Sequence, residues 1–396
     1  MMNKIPKGWE VKKLGEICEK ISAGGDKPAE FSPIKTNDFK IPIYSNGIKD
    51  NGLYGYTKYA TINKQAVTVS ARGTIGFVCV RNEPFCPIVR LISAIPKDNI
   101  LDLKFLAYAL KFKIPSGEGS SIPQLTVPNF KQLEIPLPPL SEQKAIADKL
   151  DDSFAKIENA ITNLINAKEN LKLYKQSVLK SAFNGDLLPN TSPTHWEVKK
   201  LGDFSEIKGG KRLPANSKFS KDTTKFAYIR VADFENMSVN LKDIKYITQE
   251  IQDKIKNYTI SSDDIYISIA GTIGKVGTIP IELNGANLTE NAAKITFNGA
   301  NKKFLVYYLN SNEAQMQIIF FTKATTQAKL ALYRIKEIKI PLPPLSEQNL
   351  IVAEIDRRFA IVDKTLNLID KSIQNAKNLK QSILKKAFSG ELRSEI

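Results

Sequence analysis

Basic and aromatic side chains suited to contact with nucleic acid gather in two parts of this 396-residue chain. Lysine and arginine hold phosphate groups, and arginine can also donate two hydrogen bonds to the edge of a guanine. Each of these residues alone is an ordinary solvated side chain, whereas the two sets together predict nucleic-acid surfaces. The candidates are Tyr54, Tyr56, Lys58, Lys64 and Arg72 in the first part and Lys208, Lys211, Arg212, Lys218, Arg230 and Lys275 in the second.

The sequence shows no arrangement typical of catalysis. His195 is the only histidine and lies in a Pro-Thr-His-Trp linker, which argues against a Ser-His-Asp triad and against histidine metal ligands. Glu337-Ile-Lys339 matches part of a nuclease motif, but such triplets are common and its aspartate is missing. Glycine-rich nucleotide loops are also missing. We therefore predict a non-catalytic chain that needs neither a metal ion nor a cofactor.

The composition indicates a protein that meets a polyanion. Lysine and arginine number 57 against 41 acidic residues, which gives a net charge of +16 and a pI of about 9.4. Nucleic acid is the usual partner of so basic a chain, and a lysine-rich proteome is the alternative. The three cysteines (Cys18, Cys79 and Cys86) have no metal-like spacing, and no run spans a membrane, so we expect a reduced, cytoplasmic protein.

An internal duplication covers nearly the whole chain. The nine residues Ile-Pro-Leu-Pro-Pro-Leu-Ser-Glu-Gln occur identically at Ile135–Gln143 and Ile340–Gln348. The string Trp-Glu-Val-Lys-Lys-Leu-Gly opens both copies, at Trp9 and at Trp196. Gly-Thr-Ile-Gly recurs at 73–76 and 271–274, where a tight turn ending a strand is favoured over direct DNA contact.

A long helix is predicted after each proline string. Proline lacks an amide hydrogen and favours an extended chain before it, and Ser141 and Ser346 then occupy the position of a helix N-cap. Apolar residues follow at alternating spacings of three and four, which is typical of a coiled-coil seam. One helix of an ordinary bundle is the alternative. The predicted pairing residues are Leu150, Phe154, Ile157, Ile161, Leu164 and Leu171 in the first helix and Ile355, Phe359, Val362, Leu366, Ile369 and Ile373 in the second.

These patterns predict an α+β chain with a pseudo-two-fold internal repeat. Two globular mixed α/β parts, at 1–140 and 188–345, alternate with two long helices at 141–187 and 346–396 that form an antiparallel coiled coil. The second copy is longer on both sides of its Gly-Thr-Ile-Gly turn, whereas the stretches after the proline strings align without a gap. Equal helices would hold two unequal globular parts at a fixed separation.

Over its full length the chain resembles the specificity subunit of type I restriction-modification systems. The resemblance rests on the Trp-Glu-x-x-x-Leu-Gly openings, the glycine turns, the doubled proline strings and the helix ends at Ala182–Leu187 and Ala387–Leu392. It implies two target recognition domains, each reading half of a split DNA sequence. It also implies that the helices dock methyltransferase subunits, that restriction subunits join the complex, and that this chain holds no catalytic residue.

Unequal globular parts on equal helices predict an asymmetric, interrupted DNA target whose spacer the helices set. Two chemically similar helices also offer two similar docking surfaces, which predicts two methyltransferase subunits per chain. A stand-alone, two-headed DNA-binding regulator without a methyltransferase is the alternative. An enzyme with an unfamiliar site, such as a nuclease, is a further one that incubation of the chain with Mg²⁺ and DNA would expose.

Overall fold

The chain folds into two compact units, and the boundary between them passes through both long helices. A computed structural model describes residues 6–114, 117–118, 125–189, 195–322 and 328–392. Unit 1 comprises Met1–Ile165 and Asp370–Ile396, and unit 2 comprises Asn166–Ile369. Each unit therefore contains the first half of one long helix and the second half of the other. The predicted layout, in contrast, follows chain order and gives each helix a segment of its own.

The globular part of unit 1 is built on a four-stranded antiparallel sheet in the order β2-β9-β5-β7. Helix α2 packs on β5 and β7, and a three-stranded sheet β4-β3-β8 lies beside them. The first copy contains β1 (Glu10–Lys13), α1 (Leu14–Ile17), β2 (Cys18–Ala23), β3 (Ile41–Tyr44), β4 (Leu53–Thr57), β5 (Ala66–Val69), β6 (Thr74–Ile75), β7 (Val78–Arg81), β8 (Cys86–Pro87), β9 (Ile92–Pro96), α2 (Leu103–Lys113), β10 (Gly117–Glu118), α3 (Val127–Lys131), β11 (Glu134–Leu137) and α4 (Leu140–Phe183).

Unit 2 repeats the antiparallel sheet as β13-β22-β19-β20 and adds a mixed sheet in the order β17-β14-β21-β18. The second copy contains β12 (Glu197–Lys200), β13 (Ser205–Gly209), β14 (Ala227–Ile229), β15 (Phe234–Glu235), β16 (Ser238–Val239), β17 (Lys245–Tyr246), α5 (Gln249–Ile255), β18 (Thr259–Ile260), β19 (Ile265–Ser268), β20 (Val276–Thr278), β21 (Ala286–Leu288), β22 (Ala292–Phe297), α6 (Lys302–Leu309), α7 (Asn312–Phe321), α8 (Leu332–Lys336), β23 (Lys339–Leu342) and α9 (Leu345–Ser389). The two copies thus share one scaffold and differ in what is added to it.

The two repeated motifs of each copy meet in space and form a joint between the globular part and its helix. β1 pairs antiparallel with β11, and β12 pairs in the same way with β23. The indole of Trp9 then donates a hydrogen bond to Glu142 at 3.1 Å, and the indole of Trp196 donates one to Glu347 at 3.0 Å. The opening motif and the proline string are therefore conserved between the copies because they bind each other.

A buried glutamine completes each joint. Gln143 donates to the carbonyls of Ile100 and Pro138 at 2.9 and 2.8 Å and accepts a hydrogen bond from the amide of Asp102 at 2.9 Å. Asp102 in turn caps α2 by accepting from the amide of Phe105. In the second copy Gln348 donates to the Pro343 carbonyl and accepts from the amide of Asn301, which caps α6. The glutamine therefore fixes the start of one helix against the start of another.

The long helices begin two residues earlier than the serine N-caps predict. α4 starts at Leu140 and α9 at Leu345, so Ser141 and Ser346 lie inside the first turn rather than capping it. The carbonyls of Pro139 and Pro344 accept the first helical hydrogen bonds, at 3.0 Å in both copies, because a proline carbonyl remains a good acceptor. Glycines 185 and 390 follow the helix ends at φ values of +80° and +82°, as predicted for helix stops.

Within each unit the two helix segments run antiparallel. In unit 1 the ammonium of Lys380 pairs with Glu158 and lies 4.7 Å from the ring centroid of Phe154. In unit 2 Lys175 pairs with Asp363 at 2.6 Å and lies 4.7 Å from the ring of Phe359. In each unit a residue near the start of one long helix thus contacts a residue nearer the end of the other. The two ion pairs join corresponding residues of the two copies.

All of the predicted pairing positions are buried or half-buried. The buried ones are Leu150, Phe154, Ile157, Ile355, Phe359, Val362 and Ile369, and the half-buried ones are Ile161, Leu164, Leu171, Leu366 and Ile373. The seam is most completely covered where a globular part also packs on it. Tyr108 and Lys104 of α2 both bind Asp151 on α4, and Tyr307 and Lys303 repeat this with Asp356 on α9.

The last turn of each helix packs into a globular part, which the sequence analysis did not predict. Phe388 lies 5.2 Å from the rings of both Phe105 and Phe112 within unit 1. Phe183 packs edge-on against Phe304 and Tyr308 within unit 2, at 5.3 and 5.0 Å. Each globular core is therefore completed by the end of the long helix that follows the other globular part in the chain.

Replacing Gln143 with leucine should destabilise unit 1. The substitution leaves two carbonyls and one amide without their buried partner, which should lower the free energy of unfolding by roughly 2–4 kcal/mol. Calorimetric unfolding measures the change, with the exposed Gln381→Leu as the matched control. A variant as stable as the wild type would show that the joint does not depend on this side chain.

Truncating the aromatic end of α9 should also loosen unit 1. Phe388→Ala removes a ring that is buried between two others, which should lower the free energy of unfolding by roughly 3–5 kcal/mol. The same truncation at the half-exposed Leu379 should change the thermal midpoint little. Equal midpoints for the two variants would contradict a structural role for the helix end.

Candidate nucleic-acid interface

The first Gly-Thr-Ile-Gly string forms a tight turn between β5 and β7. Gly73 and Gly76 adopt φ values of +67° and +82°, which glycine reaches without a steric penalty. The turn closes through the amide of Ser70, which donates to the Phe77 carbonyl at 3.0 Å, and the amide of Gly76, which donates to Ser70 at 3.1 Å. It thereby places the exposed Arg72 at the tip of a rigid hairpin.

The second string forms the same turn between β19 and β20, with a different side chain at its tip. Gly271 and Gly274 adopt φ values of +72° and +87°, and the amide of Gly274 donates to Ser268 at 3.0 Å. Where the first copy has Arg72, the second has Ala270. The scaffold is preserved, and the group it presents is not.

A strained loop lies after β8 in unit 1. Val89 and Arg90 both adopt left-handed conformations, with φ values of +54° and +60°. Such a conformation at a β-branched residue costs about 1–3 kcal/mol and is frequent at functional sites. Backbone hydrogen bonds to Gly24 and Gly25, at 2.9 and 2.8 Å, hold the loop. A Cβ atom on Gly24 would lie 2.6 Å from the Ile88 nitrogen, so this position requires glycine.

Asn46 ties the strained loop to the glycine turn. Its amide nitrogen donates to the Val89 carbonyl at 2.6 Å, and its carbonyl accepts from the amide of Ala71 at 2.8 Å. The neighbouring residues Arg72 and Arg90 are exposed, and within the part of the chain that the structure describes no side chain binds either guanidinium. Two uncommitted arginines on linked loops suit both phosphate contact and guanine readout.

The predicted tyrosines lie on one face of β4. Tyr54 is exposed and Tyr56 is half-buried two residues later, so both side chains point to the same side of the strand. Phe31 lies 5.7 Å from Tyr54, and the Lys27 ammonium lies 4.1 Å from the Phe31 ring. This arrangement provides an aromatic surface next to a positive charge.

The two predicted lysines of unit 1 are engaged in surface ion pairs. Lys58 binds Glu30 at 2.5 Å, and this hydrogen bond raises the pKa of the lysine. Lys64 binds Glu19 at 2.7 Å with the same effect on its pKa. Both pairs are open to solvent, where such pairs are weak, so phosphate groups could compete for these lysines.

In unit 2, Arg230 and Lys275 hold the fold. Arg230 binds the buried Asp233 through Nε and Nη2 and also contacts Asp243, and the hydrogen bond to Asp233 raises the pKa of the arginine. Lys275 donates to the Phe234 carbonyl at 3.1 Å. Contact with DNA would require either side chain to give up these partners, and a role of Arg230 and Lys275 in DNA binding stays a prediction.

The remaining predicted cations of unit 2 lie at the surface near the start of its sheet. Lys208 pairs with Glu206 at 2.9 Å, and Arg212 pairs with Glu290 at 2.7 Å. The ammonium of Lys211 lies 5.4 Å from the ring of Tyr258. Lys218 is exposed, and no described residue pairs with it. Lys211, Arg212 and Lys218 lie on the connection between β13 and β14, and Lys208 lies on β13 itself.

Lys27 and Arg90 are candidate contact residues that no sequence pattern predicted. Lys27 follows the glycine pair Gly24 and Gly25, and the loop of Arg90 donates backbone hydrogen bonds to that pair. A second glycine pair lies at positions 209 and 210. A Cβ atom on Gly210 would lie 2.1 Å from the Thr289 carbonyl, so close backbone packing recurs there. Aligning the repeated glycine pairs would have directed attention to these loops.

The described residues contain no group of histidine, cysteine or acidic side chains placed to hold a metal ion. His195 lies 3.1 Å from Glu347, beside the Trp196 joint. None of the helices in the described ranges combines the length and the apolar character needed to span a membrane.

Known proteins match the chain along most of its length. Residues 6–167 and 193–376 match the family model described as type I restriction modification DNA specificity domain. A putative type I specificity subunit of Mycoplasma pneumoniae is 43% identical over 143 residues, which cover 36% of this chain and 42% of that protein. The specificity subunit of the type I restriction enzyme EcoBI of Escherichia coli is 29% identical over 283 residues, covering 66% and 59%. The chain thus spans less than two thirds of the length of these two relatives.

Solved structures show the same fold. A chain from a structure described as the basis of complex assembly and conformational transition of the type I R-M system aligns with a TM-score of 0.77 at 19% identity. The alignment covers 98% of this chain and 99% of that one. The two α+β units and their shared helices are therefore an architecture already seen in such systems. Since the family model matches most of the residues in both copies, the chain belongs to the type I restriction-modification DNA specificity domain family.

Proposed function

We propose that this chain is the DNA-specificity subunit of a type I restriction-modification complex. Each globular part reads one half of an asymmetric, interrupted site in double-stranded DNA. The long helices dock two methyltransferase subunits, and restriction subunits join through that complex. One observation carries the proposal. The two Gly-Thr-Ile-Gly turns have the same backbone, but the residue at the tip is Arg72 in one copy and Ala270 in the other, in a chain that matches the specificity-domain family.

The segments take their roles from this function. Residues 1–140 and 188–345 act as target recognition domains, and residues 141–187 and 346–396 act as spacer helices. The chain itself breaks no bond and works in the cytoplasm, where its DNA and its partner enzymes are found. Family membership does not favour the stand-alone regulator, because both relatives are named as type I specificity subunits, and one of them as that of a restriction enzyme.

Arg72 and Arg90 are the best candidates for direct contacts in the first half-site. Both are exposed, neither is held by a carboxylate in the described structure, and Asn46 fixes their loops to each other. Rigid loops favour base readout because little conformational entropy is lost on binding. In the second half-site the cations around Lys211 and Lys218 would contact the phosphates.

Removing the Arg72 side chain should change recognition of the first half-site alone. If Arg72 reads a base, Arg72→Ala should weaken binding by roughly 1–3 kcal/mol and relax the sequence at one position. Methylation mapping with the reconstituted complex measures this. The matched control is Lys12→Ala, which removes an ion-paired surface lysine outside the predicted DNA-binding set. An unchanged motif and affinity would remove Arg72 from the interface.

Lengthening both spacer helices should lengthen the gap in the target. One heptad inserted after residue 163 and another after the corresponding residue 368 adds about 10.5 Å of helix, or roughly three base pairs. Methylation mapping should then find both half-sites unchanged and the spacer longer. An unchanged spacer would contradict the proposed role of the helices, and an insertion in one helix alone is the control for simple disruption.

A further inference from the structure

The outer face of α9 in unit 2 carries a stripe of exposed aliphatic side chains. Leu350, Ile361 and Leu368 are 62%, 55% and 54% exposed. Because each residue of an α-helix is rotated by about 100° from the one before, these three positions fall within about 20° of one another. They extend over 18 residues, or about 27 Å of helix.

This stripe is separate from the helix-pairing seam. The buried seam residues Ile355, Phe359 and Val362 lie about 120–180° around the helix from it. Large aliphatic side chains aligned on a solvent-facing stripe are not explained by packing within the unit. Such exposed apolar surfaces are typical of protein–protein contact sites, and aliphatic groups offer nothing to a phosphate backbone.

The corresponding face of α4 in unit 1 has different chemistry. Leu350, Ile361 and Leu368 correspond to Ala145, Lys156 and Asn163. On one flank of the stripe Ala353, Arg357 and Lys364 of α9 correspond to Asp148, Asp152 and Asn159 of α4, and on the other flank Glu354 corresponds to Lys149. The stripe on α9 is therefore aliphatic between charged flanks, whereas the corresponding face of α4 is polar and carries charges of both signs. The two helices were expected to offer two similar docking surfaces because their pairing residues repeat. Their outer faces, in contrast, differ.

We propose that the two docking faces bind the methyltransferase subunit unequally, with the α9 face of unit 2 as the tight site and the α4 face of unit 1 as the weak one. The inference rests on the proposed function, which supplies this partner. Identical methyltransferase subunits present one and the same surface, and one surface cannot complement an aliphatic face and a polar face equally well. The stripe runs for about 27 Å along the helix, a length that suits a protein partner. Assembly then proceeds through an intermediate with one methyltransferase on unit 2.

Exchanging the side chains of the two faces tests the proposal. The chain is titrated with the methyltransferase subunit of the same restriction-modification system, and native mass spectrometry counts the free chain and its one-to-one and one-to-two complexes. The double variant Ile361→Lys with Leu368→Asn gives α9 the residues of α4. It should weaken the tight step by roughly 10–100-fold, since two aliphatic side chains lose their burial.

The reciprocal variant, Lys156→Ile with Asn163→Leu, should strengthen the weak step and bring the two affinities together. Ile281→Lys is the matched control, because Ile281 is also an exposed isoleucine of unit 2 but lies on its globular part. Helical content by circular dichroism and binding to target DNA verify that each variant is folded.

The possible outcomes distinguish a failure of the unequal docking faces from a failure of the proposed specificity-subunit function. Two equal steps in the wild type, or a tight step that the α9 exchange leaves unchanged, would overturn the unequal sites while leaving the specificity-subunit assignment intact. A wild-type chain that binds no methyltransferase at all would overturn both. If the chain alone forms a dimer in light scattering and the α9 exchange abolishes it, the stripe is a self-association surface and the inference is wrong.

Discussion

A hydrogen bond between an indole and a carboxylate marks the point on which each unit depends. Trp9 binds Glu142, and Trp196 binds Glu347, where a two-stranded ladder meets the first turn of a long helix. The buried glutamine next to each carboxylate fixes a second helix to the same point. These contacts all lie within the joint. The loops elsewhere in the globular part can therefore change without altering the direction in which the long helix leaves it.

Under the proposed function, this separation of a fixed joint from variable loops would allow one scaffold to read different sequences. The glycine turn has the same backbone in both copies, yet its tip carries Arg72 in one and Ala270 in the other. The left-handed backbone at Val89 and Arg90 is held by Gly24, Gly25 and Asn46. Under the proposed function, the side chains that contact DNA stand on turns and loops held in this way and can be exchanged one at a time.

The sequence was sufficient to predict the repeat, the long helices with their apolar stripe, and the glycine turns. Each of these leaves a local signal, either the spacing of apolar residues or a string that occurs twice. The packing of Phe183 and Phe388 into globular cores was not predictable, since contacts between residues so distant in the chain leave no local pattern. The intramolecular partners of Arg230 and Lys275 were equally hidden. A cation near a turn has the same sequence signature whether it faces DNA or binds a buried aspartate such as Asp233.

The passage of the unit boundary through both long helices has a consequence for the history of the chain. Neither copy is complete alone, because its core is closed by the last turns of a helix that belongs to the other copy. An unduplicated ancestor would have needed a twin molecule to supply those turns, and each twin would have read the same bases. Under the proposed function, fusion of two such genes would keep both cores closed in this way and would allow the two DNA-reading surfaces to diverge, so that a palindromic target gives way to one with two unlike ends.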